Sequence, residues 1–134
     1  MATYGMSITL SGSLAERKSQ VVEALKVQGF GILTEIDVQK TMKEKIGAEY
    51  EPYLILGACN PGLANRAFTA DRSIGLLLPC NVVLRQVGAS VVVEILDPEI
   101  MFSVVDQETK KALTSLPSEA REKLQSALQA LAQI

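Results

Sequence analysis

The spacing of the apolar residues changes along the chain in a fixed order, and this order restricts the possible fold more than any other feature. Residues 4–10 alternate between apolar and small or polar side chains, which is the period of a half-buried β-strand. Ser13 and Glu16 then form a capping box, and Gly29 ends the helix that follows. Strand patterns recur at residues 30–36, 53–58, 80–85 and 91–96, and a helical pattern runs from about Ser118. The pattern therefore predicts the order strand, helix, four strands and helix.

Short helical segments interrupt this order. Asp37 is a predicted N-cap for a helix that Gly47 ends, and the pairs Asn60-Pro61 and Asp97-Pro98 each combine an N-cap residue with a proline suited to the first helical turn. The Gly88-Ala89 turn predicts a hairpin between the last two strands. We predict one α+β domain over residues 1–134, β-α-β4-α, with a mostly antiparallel sheet, helices on one face and short helical inserts.

Charge argues against a nucleic-acid partner. Thirteen basic and fifteen acidic residues leave a net charge of −2, whereas nucleic-acid binding needs lysines and arginines to replace phosphate counterions. The lysines between Lys40 and Lys45 are interrupted by Glu44, as on a solvated helix face.

The apolar segments also argue against a membrane partner. Residues 1–10 lack the basic start and apolar run of a secretory signal, so we expect none. The most apolar stretch, residues 74–84, is broken by Pro79 and Asn81 and is shorter than the roughly 20 residues of a membrane helix. We therefore expect a cytoplasmic protein.

The chain has no histidine, which excludes histidine-based metal sites and Ser-His or Cys-His catalytic pairs. Its two cysteines, Cys59 and Cys80, do not form a disulfide framework, and thiols in the cytoplasm are usually reduced. We predict no metal site, and the sequence indicates no particular cofactor.

Three segments carry a resemblance to a known family. They are Gly29-Phe30-Gly31-Ile32-Leu33-Thr34-Glu35-Ile36-Asp37, Gly57-Ala58-Cys59-Asn60-Pro61 and Leu77-Leu78-Pro79-Cys80-Asn81-Val82-Val83. In this order and spacing they resemble the domain-of-unknown-function 302 family. The resemblance implies a fold similar to that of the TATA-binding protein and a homodimer. It implies no activity, and a shared fold does not transfer DNA binding.

The cysteines mark the first candidate site. Cys59 precedes the Asn60-Pro61 helix start, where free backbone N–H groups favour an anion or a thiolate, and Cys80 opens the next strand with Asn81 after it. If the two strand ends are neighbours, both thiols face one pocket. Because free cysteine is among the most buried residue types, both thiols can equally be core residues.

Carboxylates and arginines give weaker candidates. Glu35 and Asp37 lie on one face of a strand and can share acid–base work, although Asp37 as an N-cap and Glu35 paired with a lysine is the simpler interpretation. Arg66 and Arg72 flank the helix after Asn60 and can hold an anion, or lie on the surface.

Three functions stay open. The first is a homodimeric domain that binds a small ligand near Cys59, Asn60, Cys80 and Asn81, with Glu35 and Asp37 as further candidates. The second is a redox or transferase enzyme that uses a cysteine thiolate. The third is a dimerisation module without a pocket. The sequence does not decide whether the chain is an enzyme.

Overall fold

The computed structural model describes residues 2–134, and within them five strands form one antiparallel sheet. The strands are β1 (Gly5–Ser11), β2 (Gly31–Asp37), β3 (Tyr53–Cys59), β4 (Cys80–Val87) and β5 (Ser90–Leu96). Their spatial order is β1-β5-β4-β3-β2, so β1 and β2 are the edge strands. β3 lies between β2 and β4.

In the same residues the chain also forms six α-helices and two short 3-10 helices. The α-helices are α1 (Leu14–Val27), α2 (Val38–Ile46), α3 (Pro61–Ala70), α4 (Pro98–Met101), α5 (Gln107–Ala112) and α6 (Leu116–Ala132), and the 3-10 helices span Arg72–Leu77 and Phe102–Val104. This confirms the predicted order of strand, helix, four strands and helix with short inserts. The likeness to the TATA-binding protein stays a prediction.

The helix boundaries follow the predicted caps. Ser13 Oγ accepts a hydrogen bond from the Glu16 N–H, and Asp37 Oδ1 accepts one from the Lys40 N–H. Asp97 caps α4 in the same way through the Glu99 N–H. Gly29, with φ of +84°, follows the end of α1 in the left-handed region that favours glycine. α6 begins two residues before the predicted Ser118.

One side of the sheet carries the core. α1 and α6 pack against each other and against this face, and the inward side chains of β3, β4 and β5 are almost completely buried. The largest of these are Leu56, Val82, Leu84, Val93 and Ile95. Because the pleat alternates, the neighbouring residues of each strand lie on the opposite, open face.

Simple alternation along residues 30–36 predicts Ile32 and Ile36 on the same face of the strand, and this prediction is wrong. The register of β2 against β3 shifts between Ile32 and Thr34, so the strand carries one extra residue at Leu33. This β-bulge reverses the alternation. Ile36 therefore lies opposite Ile55 and is 49% exposed.

No helix within residues 2–134 is long and apolar enough to cross a membrane.

Candidate functional site

The three sequence segments that carry the family resemblance meet at one end of the sheet. They lie on β2, β3 and β4, which are consecutive neighbours, and the register pairs Gly31 with Cys59 and Ala58 with Cys80. Segments that are far apart in the sequence thus form one continuous region. The two cysteine-bearing strand ends are neighbours, which is the condition that the shared-pocket hypothesis requires.

A small cavity lies at this junction, between the sheet and the helices. Cys59, Asn60 and Cys80 line it together with apolar side chains from α3, α6 and the connecting segments. The apolar residues include Phe30, Leu63, Leu78, Phe102, Leu116 and Ala120. The cavity measures about 30 Å³, which is the room of about one water-sized group.

The two cysteines differ in environment. Cys80 is 8% exposed and faces the core, whereas Cys59 is half-buried. Cys80 pairs with Ala58 and not with Cys59, so the two cysteines are offset by one residue across the neighbouring strands. Both are free thiols. The pKa of the Cys80 thiol is raised from 9.0 to about 11. Burial is the main cause, and the neighbouring Cys59 makes a smaller contribution in the same direction. Cys80 is therefore protonated at neutral pH.

Asn60 is held by hydrogen bonds at both ends of its amide. Its Oδ1 accepts from the Leu63 N–H at 3.2 Å and so caps α3, and its Nδ2 donates to the Gln28 carbonyl at 3.4 Å. A Cβ atom at Gly29 would lie 2.9 Å from Asn60 Nδ2, so the end of α1 approaches this side chain closely. Asn60 consequently fixes the start of α3 against the end of α1.

Asn81 does not join the cysteine cavity. It pairs with Gly57, is exposed, and follows Cys80 on β4, so it lies on the open face. There it lines a shallow groove of about 240 Å³ with Tyr4, Tyr53 and Glu94 among others.

Glu35 and Asp37 lie on one face of β2, as the sequence indicates, but each has a structural partner. Glu35 lies 2.6 Å from Lys18 Nζ of α1, and Asp37 caps α2. Neither residue lines the cavity. Both match the simpler interpretation, in which Glu35 pairs with a lysine and Asp37 is an N-cap.

The two candidate arginines lie on the surface. Arg66 forms an ion pair with Glu119 of α6 at 2.9 Å, and this hydrogen bond holds the pKa of Glu119 below its ordinary value. Arg72 is exposed. Within residues 2–134, no group of three or more cysteine or carboxylate side chains is arranged to hold a metal ion.

Sequence reasoning missed most of the apolar lining of the cavity. Phe30 and Leu78 lie inside the family segments and could have been proposed from that position. Phe102, Leu116 and Ala120 carry no such signal, because the last third of the chain reaches the cavity only through tertiary packing.

Comparison with known proteins supports the family resemblance that the three segments carry. The family model of the domain of unknown function DUF302 matches residues 6–131. The structure is similar to the crystal structure of an uncharacterized conserved DUF302 protein from Bacillus stearothermophilus, with a TM-score of 0.84, 25% identity, and coverage of 96% of this chain and 98% of that chain. A comparison with curated proteins finds no match. The chain therefore belongs to the domain of unknown function family DUF302.

Proposed function

We propose that this domain is a binding module, and that its ligand inserts a small apolar or sulfur-containing group into the cavity lined by Cys59, Asn60 and Cys80. The observation that carries the proposal is that residues from all three family segments line this one cavity. Ligand sites are mostly apolar with a few placed polar groups, and two cysteines and one asparagine in an apolar lining fit that description.

The volume of the cavity defines what kind of group it accepts. About 30 Å³ admits a methyl, thiol or thioether, while the remainder of a larger ligand would lie outside, near Asn60 and the half-buried Cys59. Thiol side chains are soft and polarizable and suit contacts of this kind.

The thiolate enzyme is less favoured than the binding module. The thiolate is the reactive form of cysteine, and the pKa of about 11 keeps Cys80 protonated. At the start of α3, the Leu63 N–H already donates to Asn60, so this group is not free to stabilise a thiolate at Cys59. Cys59 is the one remaining candidate nucleophile at this site.

The module is further proposed to be a cytoplasmic homodimer. Two free thiols suit a reducing compartment. The dimer follows from the family resemblance, and the open sheet face and the sheet edges leave room for a second copy.

Native mass spectrometry of freshly purified, unreduced protein tests the binding proposal, followed by NMR titration with dimethyl sulfide as a probe of the cavity. Ala64 is half-buried and lines the cavity, so Ala64→Leu fills it, while Ala15→Leu adds the same volume at an exposed site of α1. We expect an adduct or dimethyl sulfide shifts in wild type and Ala15→Leu that are lost in Ala64→Leu. If wild type carries no adduct and dimethyl sulfide shifts no resonance of the lining residues, the cavity is not a binding site.

A further inference from the structure

The outer edge of β1 is free for pairing with another strand. β1 contacts β5 on one side, and within residues 2–134 no strand lies on its other side. Its seven residues pair with β5 without a register shift, so the edge is straight. It carries no proline and no charged residue. Such an edge is a ready template for strand addition.

The hydrogen bonds at its two ends show which backbone groups point outward. The Asp97 N–H donates to the Tyr4 carbonyl, and the Gly12 N–H donates to the Ala89 carbonyl, each at 2.9 Å. Because an antiparallel strand directs alternate residues to its neighbour, the even-numbered residues of β1 bond β5. The odd-numbered residues Ser7 and Thr9 therefore turn their N–H and carbonyl groups outward.

The sequence of β1 is complementary to itself in the antiparallel direction. With a twofold axis at Ile8, Ile8 lies opposite Ile8 of the second copy. Ser7 then lies opposite Thr9 of that copy, and Met6 lies opposite Leu10. Apolar side chains then meet on the helix side and hydroxyl side chains meet on the open side. The outward backbone groups of Ser7 and Thr9 are also the ones that this register needs.

The other edge of the sheet is protected. β2 contains the bulge at Leu33, and its exposed half carries the acidic residues Glu35 and Asp37. Bulges and charged residues are the devices by which natural edge strands avoid pairing. The contrast between the two edges favours β1.

We infer that two copies of this domain pair through β1, antiparallel about a twofold axis at Ile8, so that their two five-stranded sheets join into one. The inference rests on the proposed homodimer and names its interface. Pairing is limited to the span between Gly5 and Ser11, because the Gly5 N–H already bonds the Ala2 carbonyl and Arg17 Nε bonds the Ser11 carbonyl.

A single-cysteine crosslink tests this register. Residues facing each other in a non-hydrogen-bonded antiparallel pair have Cα atoms about 4.5 Å apart, within the range of disulfides. In a Cys59→Ser, Cys80→Ala background, Ile8→Cys treated with oxidised glutathione is expected to give a covalent dimer. The matched control is Ile36→Cys on β2, where the native isoleucine is 49% exposed, and it is expected to stay monomeric on a non-reducing gel.

Sedimentation of the uncrosslinked protein separates the two proposals. Thr9→Pro removes one outward N–H per copy without removing a bond to β5, and prolines are tolerated at such edge positions. We expect it to weaken the dimer about tenfold or more while circular dichroism shows an intact fold. A wild-type protein that stays monomeric at all concentrations contradicts the homodimer itself. A wild-type dimer that Thr9→Pro leaves unchanged, or that crosslinks at residue 36 instead of residue 8, overturns the β1 interface alone.

Discussion

The ring of Pro79 packs directly against the backbone of Gly57, so that a Cβ atom at residue 57 would lie 2.7 Å from Pro79 Cγ. The Thr34 hydroxyl occupies the same space from the other side. One residue from each of the three family segments therefore meets at this point on the open face of the sheet. Only glycine at residue 57 lets the three strands approach this closely.

Gly57→Ala is expected to destabilise the domain by about 2 kcal/mol, because the added methyl group must displace Pro79 and Thr34. Gly31→Ala is the matched control, since a Cβ atom there meets nothing within 4 Å. Urea unfolding of both variants measures the difference. Equal stability of the two variants would contradict the close packing.

Asn60→Ala is expected to cost about 1 kcal/mol of unfolding free energy, because the cap of α3 is lost. Asn60→Asp keeps the acceptor for the Leu63 N–H but loses the donor to the Gln28 carbonyl, so its stability should lie between those of wild type and Asn60→Ala. Asn81→Ala is the control, because Asn81 is exposed and, like Asn60, directly follows a cysteine. Thermal unfolding compares the three, and a loss at Asn81 as large as that at Asn60 would argue against the capping role.

The two thiols are expected to differ strongly in their reaction with iodoacetamide at pH 7.5. Cys59 is half-buried and should be labelled in the folded protein, whereas Cys80, buried and with a pKa of about 11, should be labelled only through opening of the structure. Mass spectrometry of digested protein locates the label. Rapid labelling of Cys80 would show that the cavity is open to solvent.

The buried Cys80 thiol also predicts a loss of stability at high pH. The pKa of Cys80 is raised on folding, so the folded state favours the protonated thiol, and the contribution is complete below about pH 9 and lost as pH rises towards 11. A shift of this size corresponds to about 2–3 kcal/mol. Urea unfolding from pH 7 to 11 should therefore show a steeper decline for wild type than for Cys80→Ala. Parallel declines would mean that Cys80 does not titrate differently in the unfolded chain.

Gln86→Ala is expected to destabilise the domain by about 2 kcal/mol. The Gln86 side chain accepts from the Leu14 N–H at 2.8 Å and donates to the Gly12, Gly88 and Ser90 carbonyls, so it ties the start of α1 to the β4–β5 hairpin. Gln129→Ala, at an exposed position of α6, is the control and should be close to wild type in urea unfolding. A neutral Gln86→Ala would show that water replaces these bonds without cost.

Local chemistry explains what the sequence by itself determined. Strand alternation, the Ser13, Asp37, Asn60 and Asp97 caps and the left-handed Gly29 depend on residues near one another in the chain, so the element order was predictable. The candidate pair Cys59 and Asn60 was found for the same reason, because strand end and helix cap are adjacent.

Tertiary structure alone decided the rest. The bulge at Leu33 depends on pairing with β3, and it moved Ile36 to the open face against the simple alternation. Asn81 was separated from Cys80 by the pleat, and Phe102 and Leu116 came to the cavity from distant parts of the chain. These outcomes depend on strand register and on how α6 packs, which are long-range contacts that no local pattern encodes.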